Sequence, residues 1–161
     1  MISKLGTIED IFPMYSAYLQ EMSQHYDIHD LDGWLEAALK NLKKNEPVNP
    51  VFIIQEADEI MGFALVTTHL RFNDQGRAIA EFHIHADHMG KGHGRALAEF
   101  VFDQFPGQWE VALTLKNTGA MGFWKQVVSS YTSGDFVGKN KPFTDTYGFL
   151  FENTYGFLFE N

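Results

Sequence analysis

Two hydrophobic rhythms alternate along this chain, one helical and one with the two-residue period of strands. Thr7 to Tyr26 reads as an amphipathic helix, with Thr7 as a cap and Glu9 and Asp10 suited to its first turn. Pro13 interrupts it, either kinking the helix or marking its true start. A second helix opens at Asp30-Leu31-Asp32-Gly33-Trp34 and ends near Lys44, before the loop Asn45 to Pro50. Val51 to Gln55 and Ile60 to Thr67 read as strands joined by the polar tetrad Glu56-Ala57-Asp58-Glu59, a hairpin. After a polar loop from Arg71 to Gly76, a third strand runs over about 78–86, followed by a glycine-rich turn and a helix from Arg95 to about Phe105. Trp109 to Leu115 is a strand, Thr118 to Val128 a short helix, and Tyr131–Val137 and Thr146–Phe151 two closing strands. Tyr15, Tyr18, Met22 and Trp34 fall at helical spacing, as core or pocket wall, and Trp109 is expected in the core.

The glycine-rich turn, Met89-Gly90-Lys91-Gly92-His93-Gly94-Arg95, changes this picture from architecture to chemistry. A strand, a glycine turn and a helix N-terminus form an anion cradle, because backbone N–H groups converge there and no side chain blocks the approach of phosphate. Lys91 and Arg95 stand in this window although the chain carries a net charge of -9. Three alternating glycines do not fit a nucleoside-triphosphatase loop, which needs four residues between its outer glycines and then Lys-Ser/Thr. Nor do they fit the Gly-x-Gly-x-x-Gly of a dinucleotide fold. Glu110 lies about 20 residues further on, as a ribose-binding acid would, but at the start of the next strand rather than its end.

The run Phe82-His83-Ile84-His85-Ala86-Asp87-His88-Met89-Gly90-Lys91-Gly92-His93-Gly94-Arg95 resembles the acetyl-CoA motif of the GNAT superfamily of N-acyltransferases, in which (Arg/Gln)-x-x-Gly-x-(Gly/Ala) opens a helix. Leu115-Lys116-Asn117-Thr118-Gly119-Ala120-Met121-Gly122-Phe123-Trp124 resembles the family's Asn-x-x-Ala-x-x-Phe-(Tyr/Trp) segment. The resemblance implies an α/β (α+β) fold: a mixed, mostly antiparallel twisted sheet of six to seven strands with helices on both faces. It implies acetyl-CoA as co-substrate, a small-molecule or peptide amine as acceptor, and direct transfer without a cysteine nucleophile, in keeping with the absence of cysteine. Backbone groups of Phe82, His83 and Ile84 would hold the pantetheine arm, and Met89 to Arg95 (Gly90, Lys91, Gly92, His93 and Gly94 between them) the pyrophosphate. Asn117 and Trp124 would complete the cofactor contacts. Glu81 or His83 would act as base, and the Ile84 amide would stabilise the oxyanion. Three positions depart from the family pattern. Met89 replaces Arg or Gln, Ala86 a common proline, and Trp124 the tyrosine that in many members protonates the departing thiolate; Tyr131 could stand in only by residue type.

Two other classes compete with this reading. Met89 and Trp124 are consistent with a module that binds acyl-CoA without catalysis. His83-Ile84-His85-Ala86-Asp87-His88 also spells the zinc signature of metallo-β-lactamase-like hydrolases. That fold needs further histidines downstream, and the seven here are His25, His29, His69, His83, His85, His88 and His93. No metal is expected on the acyltransferase reading. Glu81, His83 and His85 alternate along one strand and so share a face.

Composition sets the remaining bounds. A chain of 161 residues with 45% hydrophobic and 15% aromatic residues can build one ordinary core. Acidity argues against nucleic acid, no apolar run reaches a membrane span, and the lack of cysteine suits a cytoplasmic setting. The last residues repeat: Thr146-Tyr147-Gly148-Phe149-Leu150-Phe151-Glu152-Asn153 recurs unchanged as Thr154 to Asn161. One copy suffices to finish a sheet, so a single domain is expected over 1–153. The second copy, 154–161, is then an artefact of sequence assembly or a spare edge strand. A spare strand would pair with another subunit, as in a homodimer, or compete with the first copy for one slot.

Overall fold

A computed structural model describes the backbone of residues 1–23, 30–115, 117–144 and 150–161. The helix end expected at Tyr26, Lys116, and the start of the closing strand at 146–149 lie outside the described residues. The elements are β1 (Ile2–Gly6), α1 (Ile8–Ser23), α2 (Leu31–Asn45), β2 (Val51–Glu56), β3 (Glu59–Thr67), β4 (Arg77–Ile84), a 3-10 turn (Ala86–His88), α3 (His93–Gln104), β5 (Gln108–Thr114), α4 (Thr118–Thr132), β6 (Val137–Thr144) and β7 (Leu150–Glu160). The seven strands pair in the order β1-β2-β3-β4-β5-β7-β6. β1/β2, β2/β3, β5/β7 and β6/β7 are antiparallel, and β4/β5 is parallel. This is the mixed, mostly antiparallel sheet with helices that the resemblance implied. The chain divides into two compact units, Met1–Val66 with Ala80–Leu97, and Thr67–Ile79 with Ala98–Asn161.

In the first unit the helix starts obey their capping residues. Asp10 N donates to Thr7 Oγ1 at 3.2 Å while Thr7 N donates to Asp10 Oδ2 at 2.8 Å, a reciprocal cap that satisfies two donors. Asp30 caps α2 by accepting from Gly33 N at 3.1 Å. Pro13 lies inside α1, neither ending the helix nor starting it. The buried stripe of α1, Ile8, Ile11, Tyr15 and Leu19, packs with Leu35 of α2 and with Ile53 and Phe63 of the sheet. Each such fully buried side chain is worth about 1.5–3 kcal/mol. Strand β1 has no periodic signature in the sequence. Its Ile2 and Leu5 are 61% and 65% exposed, so burial imposes no alternation on Ile2-Ser3-Lys4-Leu5-Gly6.

The second unit is built around aromatic side chains. The Phe102 ring lies 5.1 Å from Trp109 and 4.9 Å from Phe159 in edge-on geometries that favour ring pairs, and 5.1 Å from the tilted ring of Tyr131. α4 extends to Thr132, so Tyr131 is helical rather than the first residue of a strand, and β6 begins only at Val137. The strand that pairs with β5 consists of the second octapeptide: Thr154 opposes Thr114 and Glu160 opposes Gln108. Asn161 then locks the chain end, its side chain accepting from Gly107 N at 2.9 Å and donating to Phe102 O at 2.7 Å.

Glu110 is not a ribose ligand. It is fully buried, and its carboxylate accepts from the backbone N–H groups of Arg71, Phe72 and Asn73 at 2.9–3.3 Å. A carboxylate surrounded by amides in this way fixes the loop after β3. Glu110→Ala leaves three amides without their acceptor and is expected to cost about 2–3 kcal/mol, seen as a lowered midpoint in thermal unfolding. A midpoint equal to wild type would show that water replaces the carboxylate.

Candidate active site

The residues expected to carry the chemistry lie on strand β4 and in the turn after it. Glu81 and His83 share one face, as their spacing required. Tyr18 of α1 donates its hydroxyl proton to Glu81 Oε2 at 2.6 Å, a charge-assisted contact that holds the carboxylate in one orientation. The His83 ring lies 5.4 Å from Tyr18 and 5.8 Å from Phe63. The close approach of β3 to β4 at this point depends on Gly62. A Cβ there would meet the His83 carbonyl oxygen and Ile84 Cδ1, each at 2.5 Å, so any other residue would push the strand away. His85 N donates to Met61 O at 2.8 Å. Successive strand amides point to opposite edges, so the N–H groups of Ile84 and Phe82 face away from β3.

The four histidines of β4 and the turn after it separate into two groups. His83 stands among aromatic rings, whereas His85, His88 and His93 follow one another at the turn, with ring centroids 6.0 and 6.1 Å apart. His88 Nε2 contacts Glu59 Oε1 at 2.8 Å. Among the described residues no three His, Cys, Asp or Glu side chains are gathered as a metal site, and the sequence match to a zinc signature has no geometric counterpart there.

The glycine turn has the backbone its composition demands. Gly90 and Gly92 adopt φ of 74° and 85°, values that side chains disfavour, and a Cβ on either would meet nothing within 4 Å. α3 begins at His93, two residues earlier than expected, and Ala96 N donates to Gly92 O at 3.0 Å as the first bond of the helix. The N–H groups of His93, Gly94 and Arg95 open the first turn of α3, at the positive end of a twelve-residue dipole. Lys91 Nζ donates to Asp87 O at 3.0 Å, folding back over the turn. Met89 is 57% exposed. The donor set and open space of this turn suit a pyrophosphate.

The other expected site residues have local roles in the second unit. Asn117 caps α4 by accepting from Ala120 N at 3.1 Å. Trp124 is buried against Phe102 and Phe123. The Tyr131 hydroxyl donates to Asp103 at 2.6 Å and accepts from Asn161 at 3.1 Å. Burial, with the hydrogen bond to Asp103, raises its pKa.

A cavity of about 230 Å³ adjoins Glu81 within the first unit. Asn41, Asn45 and Asn49 line it together with Tyr15 and Leu65. The spacing of Asn41 and Asn45 places both on one face of α2, whereas Asn49 lies beyond the helix end and only the tertiary structure brings it to the same cavity. Burial, aided by Glu81, drives the Tyr15 phenol far above the usual tyrosine value of 10.0, so it stays protonated near neutrality. The folded state then binds this proton more tightly than the unfolded chain. Its contribution to stability is complete below about pH 10 and is lost as pH rises further. Tyr15→Phe is expected to flatten the alkaline limb of a stability–pH curve; an unchanged limb would assign that limb to other groups.

Comparison with known proteins agrees with this geometry. The chain matches the model of the acetyltransferase (GNAT) family over residues 8–127 and belongs to that family. It is thus an acyltransferase by family. No curated protein matches it in sequence. Among solved structures it is similar to yncA of Salmonella typhimurium, solved with its cofactor acetyl-CoA, at 16% identity and a TM-score of 0.64, covering 99% of this chain and 93% of that one. It is similar to the ribosomal-protein-alanine N-acetyltransferase of Brucella melitensis at 14% identity and a TM-score of 0.61, covering all of both chains. A chimera of the Vibrio cholerae spermidine N-acetyltransferase SpeG and hSSAT follows at 11% identity and a TM-score of 0.65, covering 99% of this chain and 96% of that one. At these identities the likeness is one of fold. No helix among the described residues is long and apolar enough to cross a membrane.

Proposed function

We propose that this protein transfers the acetyl group of acetyl-CoA directly to a primary amine, with Glu81 as the base. The observation that carries the reading is the Glu81 carboxylate held by Tyr18 at 2.6 Å, on the strand that leads into the glycine turn. Acetyl-CoA supplies an acyl group activated as a thioester. The amides of Gly90 to Arg95 and the dipole of α3 bind the pyrophosphate. The Phe82 and Ile84 edge of β4 offers main-chain partners to the pantetheine arm, and the Ile84 N–H is the donor for the carbonyl oxygen as charge develops on it. Glu81, or His83 beside it, takes a proton from the ammonium acceptor. With Trp124 in place of the usual tyrosine and Tyr131 engaged by Asp103, the sulfur takes its proton from solvent.

Calorimetric titration with acetyl-CoA tests the cofactor. Wild type is expected to bind, and Gly92→Glu to weaken binding tenfold or more, at least about 1.4 kcal/mol, because it sets a carboxylate among the amides. Gly92→Lys shares the backbone strain without the negative charge and should bind better than Gly92→Glu. No binding by folded wild type would end this reading.

A further inference from the structure

We infer that the acceptor is a compact amine with one positive charge and neutral hydrogen-bonding groups, an amino alcohol or amino sugar, read by Asn41, Asn45 and Asn49. The inference rests on the acetyl-transfer reading above and names the substrate class of that site. The cavity beside Glu81 measures about 230 Å³, below the roughly 300 Å³ at which pockets for larger ligands begin. Among its described lining residues Glu81 is the sole carboxylate and there is no cationic side chain. One ammonium is therefore matched, and a second cation along the ligand would find amides instead of a counter-charge.

The asparagines define the rest of the ligand. Asn45 Nδ2 donates to Asn41 O at 2.9 Å and to Asn41 Oδ1 at 3.1 Å. These contacts orient the Asn45 amide and leave its Oδ1 as an acceptor. Asn49 N donates to Asn45 O at 2.8 Å, holding the third asparagine in the same turn. Hydroxyl groups, which both donate and accept, suit carboxamides better than a methylene chain does. Tyr15, protonated as argued above, and Leu65 close the floor. In transfer, the acceptor ammonium gives one proton to Glu81, the freed amine forms the N–C bond as the C–S bond breaks, the sulfur leaves as thiolate, and the second proton of the nitrogen passes through solvent to the sulfur.

The test measures acetyl-CoA-dependent thiol release with glucosamine and 3-amino-1-propanol against spermidine and an alanine-initiated tetrapeptide. The expected result is a kcat/KM for one of the first two about tenfold or more above both others, since polar groups left unpaired penalise the wrong ligand. Asn41→Leu and the milder Asn41→Ser should raise the KM for that acceptor while leaving kcat and acetyl-CoA affinity near wild type, the mark of lost ground-state binding. A preference for spermidine or the peptide, or unchanged KM in both variants, overturns the inference. Calorimetry separates the two levels. If acetyl-CoA binds but the acceptor preference fails, only this inference falls; if it does not bind, both fall.

Discussion

Glu81→Gln is expected to lower kcat by about 10²–10⁴-fold, the range a positioned general base contributes, with acetyl-CoA affinity unchanged. Glutamine keeps the length of the side chain and an oxygen that accepts from Tyr18, so the 2.6 Å contact has a neutral replacement and the strand is undisturbed. What disappears is the ability to take a proton from an ammonium. Tyr18→Phe isolates the orienting part. A hydrogen bond to a charged group is worth about 1.5–3 kcal/mol, so its loss should be smaller than that of Glu81→Gln but measurable in kcat. His83→Asn discriminates between the two candidate bases on this face. A larger loss there than for Glu81→Gln would transfer the role to the imidazole, and wild-type turnover in Glu81→Gln would remove Glu81 from the chemistry.

Removing one octapeptide is expected to leave a folded protein, whereas removing both is expected to abolish cooperative folding. In the full chain β7 takes its β5 partners from Thr154 to Glu160, and β6 pairs with the same residues from Val137↔Leu158 to Lys141↔Thr154. The first copy carries the same residues eight positions earlier. We propose that in a chain ending at Asn153, Tyr147, Phe149 and Phe151 take the places of Tyr155, Phe157 and Phe159, and Asn153 takes that of Asn161. Residues 142–145 then form a four-residue hairpin connection, a common length. Loop closure changes by only about 0.6 kcal/mol per doubling of length, so stability should stay within about 1 kcal/mol of the full chain. Ending the chain at Asp145 takes away the strand between β5 and β6 and uncovers Phe102 and Trp109. Thermal unfolding by circular dichroism distinguishes the cases. Loss of the transition on removing a single copy would show that the two are not interchangeable.

Much of the fold was legible because local physics decided it. The caps at Thr7 and Asp30, the hydrophobic stripe of α1 and the apolar runs of β2 and β3 each act over a few residues. The glycine turn was legible for the same reason: the positive φ of Gly90 and Gly92 is a demand that composition announces. Glu81 and His83 were placed on one face by strand period alone.

Other features were settled by partners far along the chain. Glu110 reads locally as a strand residue with a spare charge; its role appears only when the amides of residues 71–73, almost forty positions earlier, close around it. β1 has no buried face to shape its pattern and exists through pairing with β2. Tyr131 has the ring of a strand former, yet it lies in α4, where its ring meets Phe102 and its hydroxyl meets Asp103. Sequence by itself determined most of the elements, the glycine turn and the family, because periodicity, capping and glycine conformation are short-range properties. Tertiary structure alone decided which octapeptide fills the sheet, that Tyr18 holds Glu81, and that three asparagines share a cavity with it, because these depend on burial and contact between residues that chain order keeps apart.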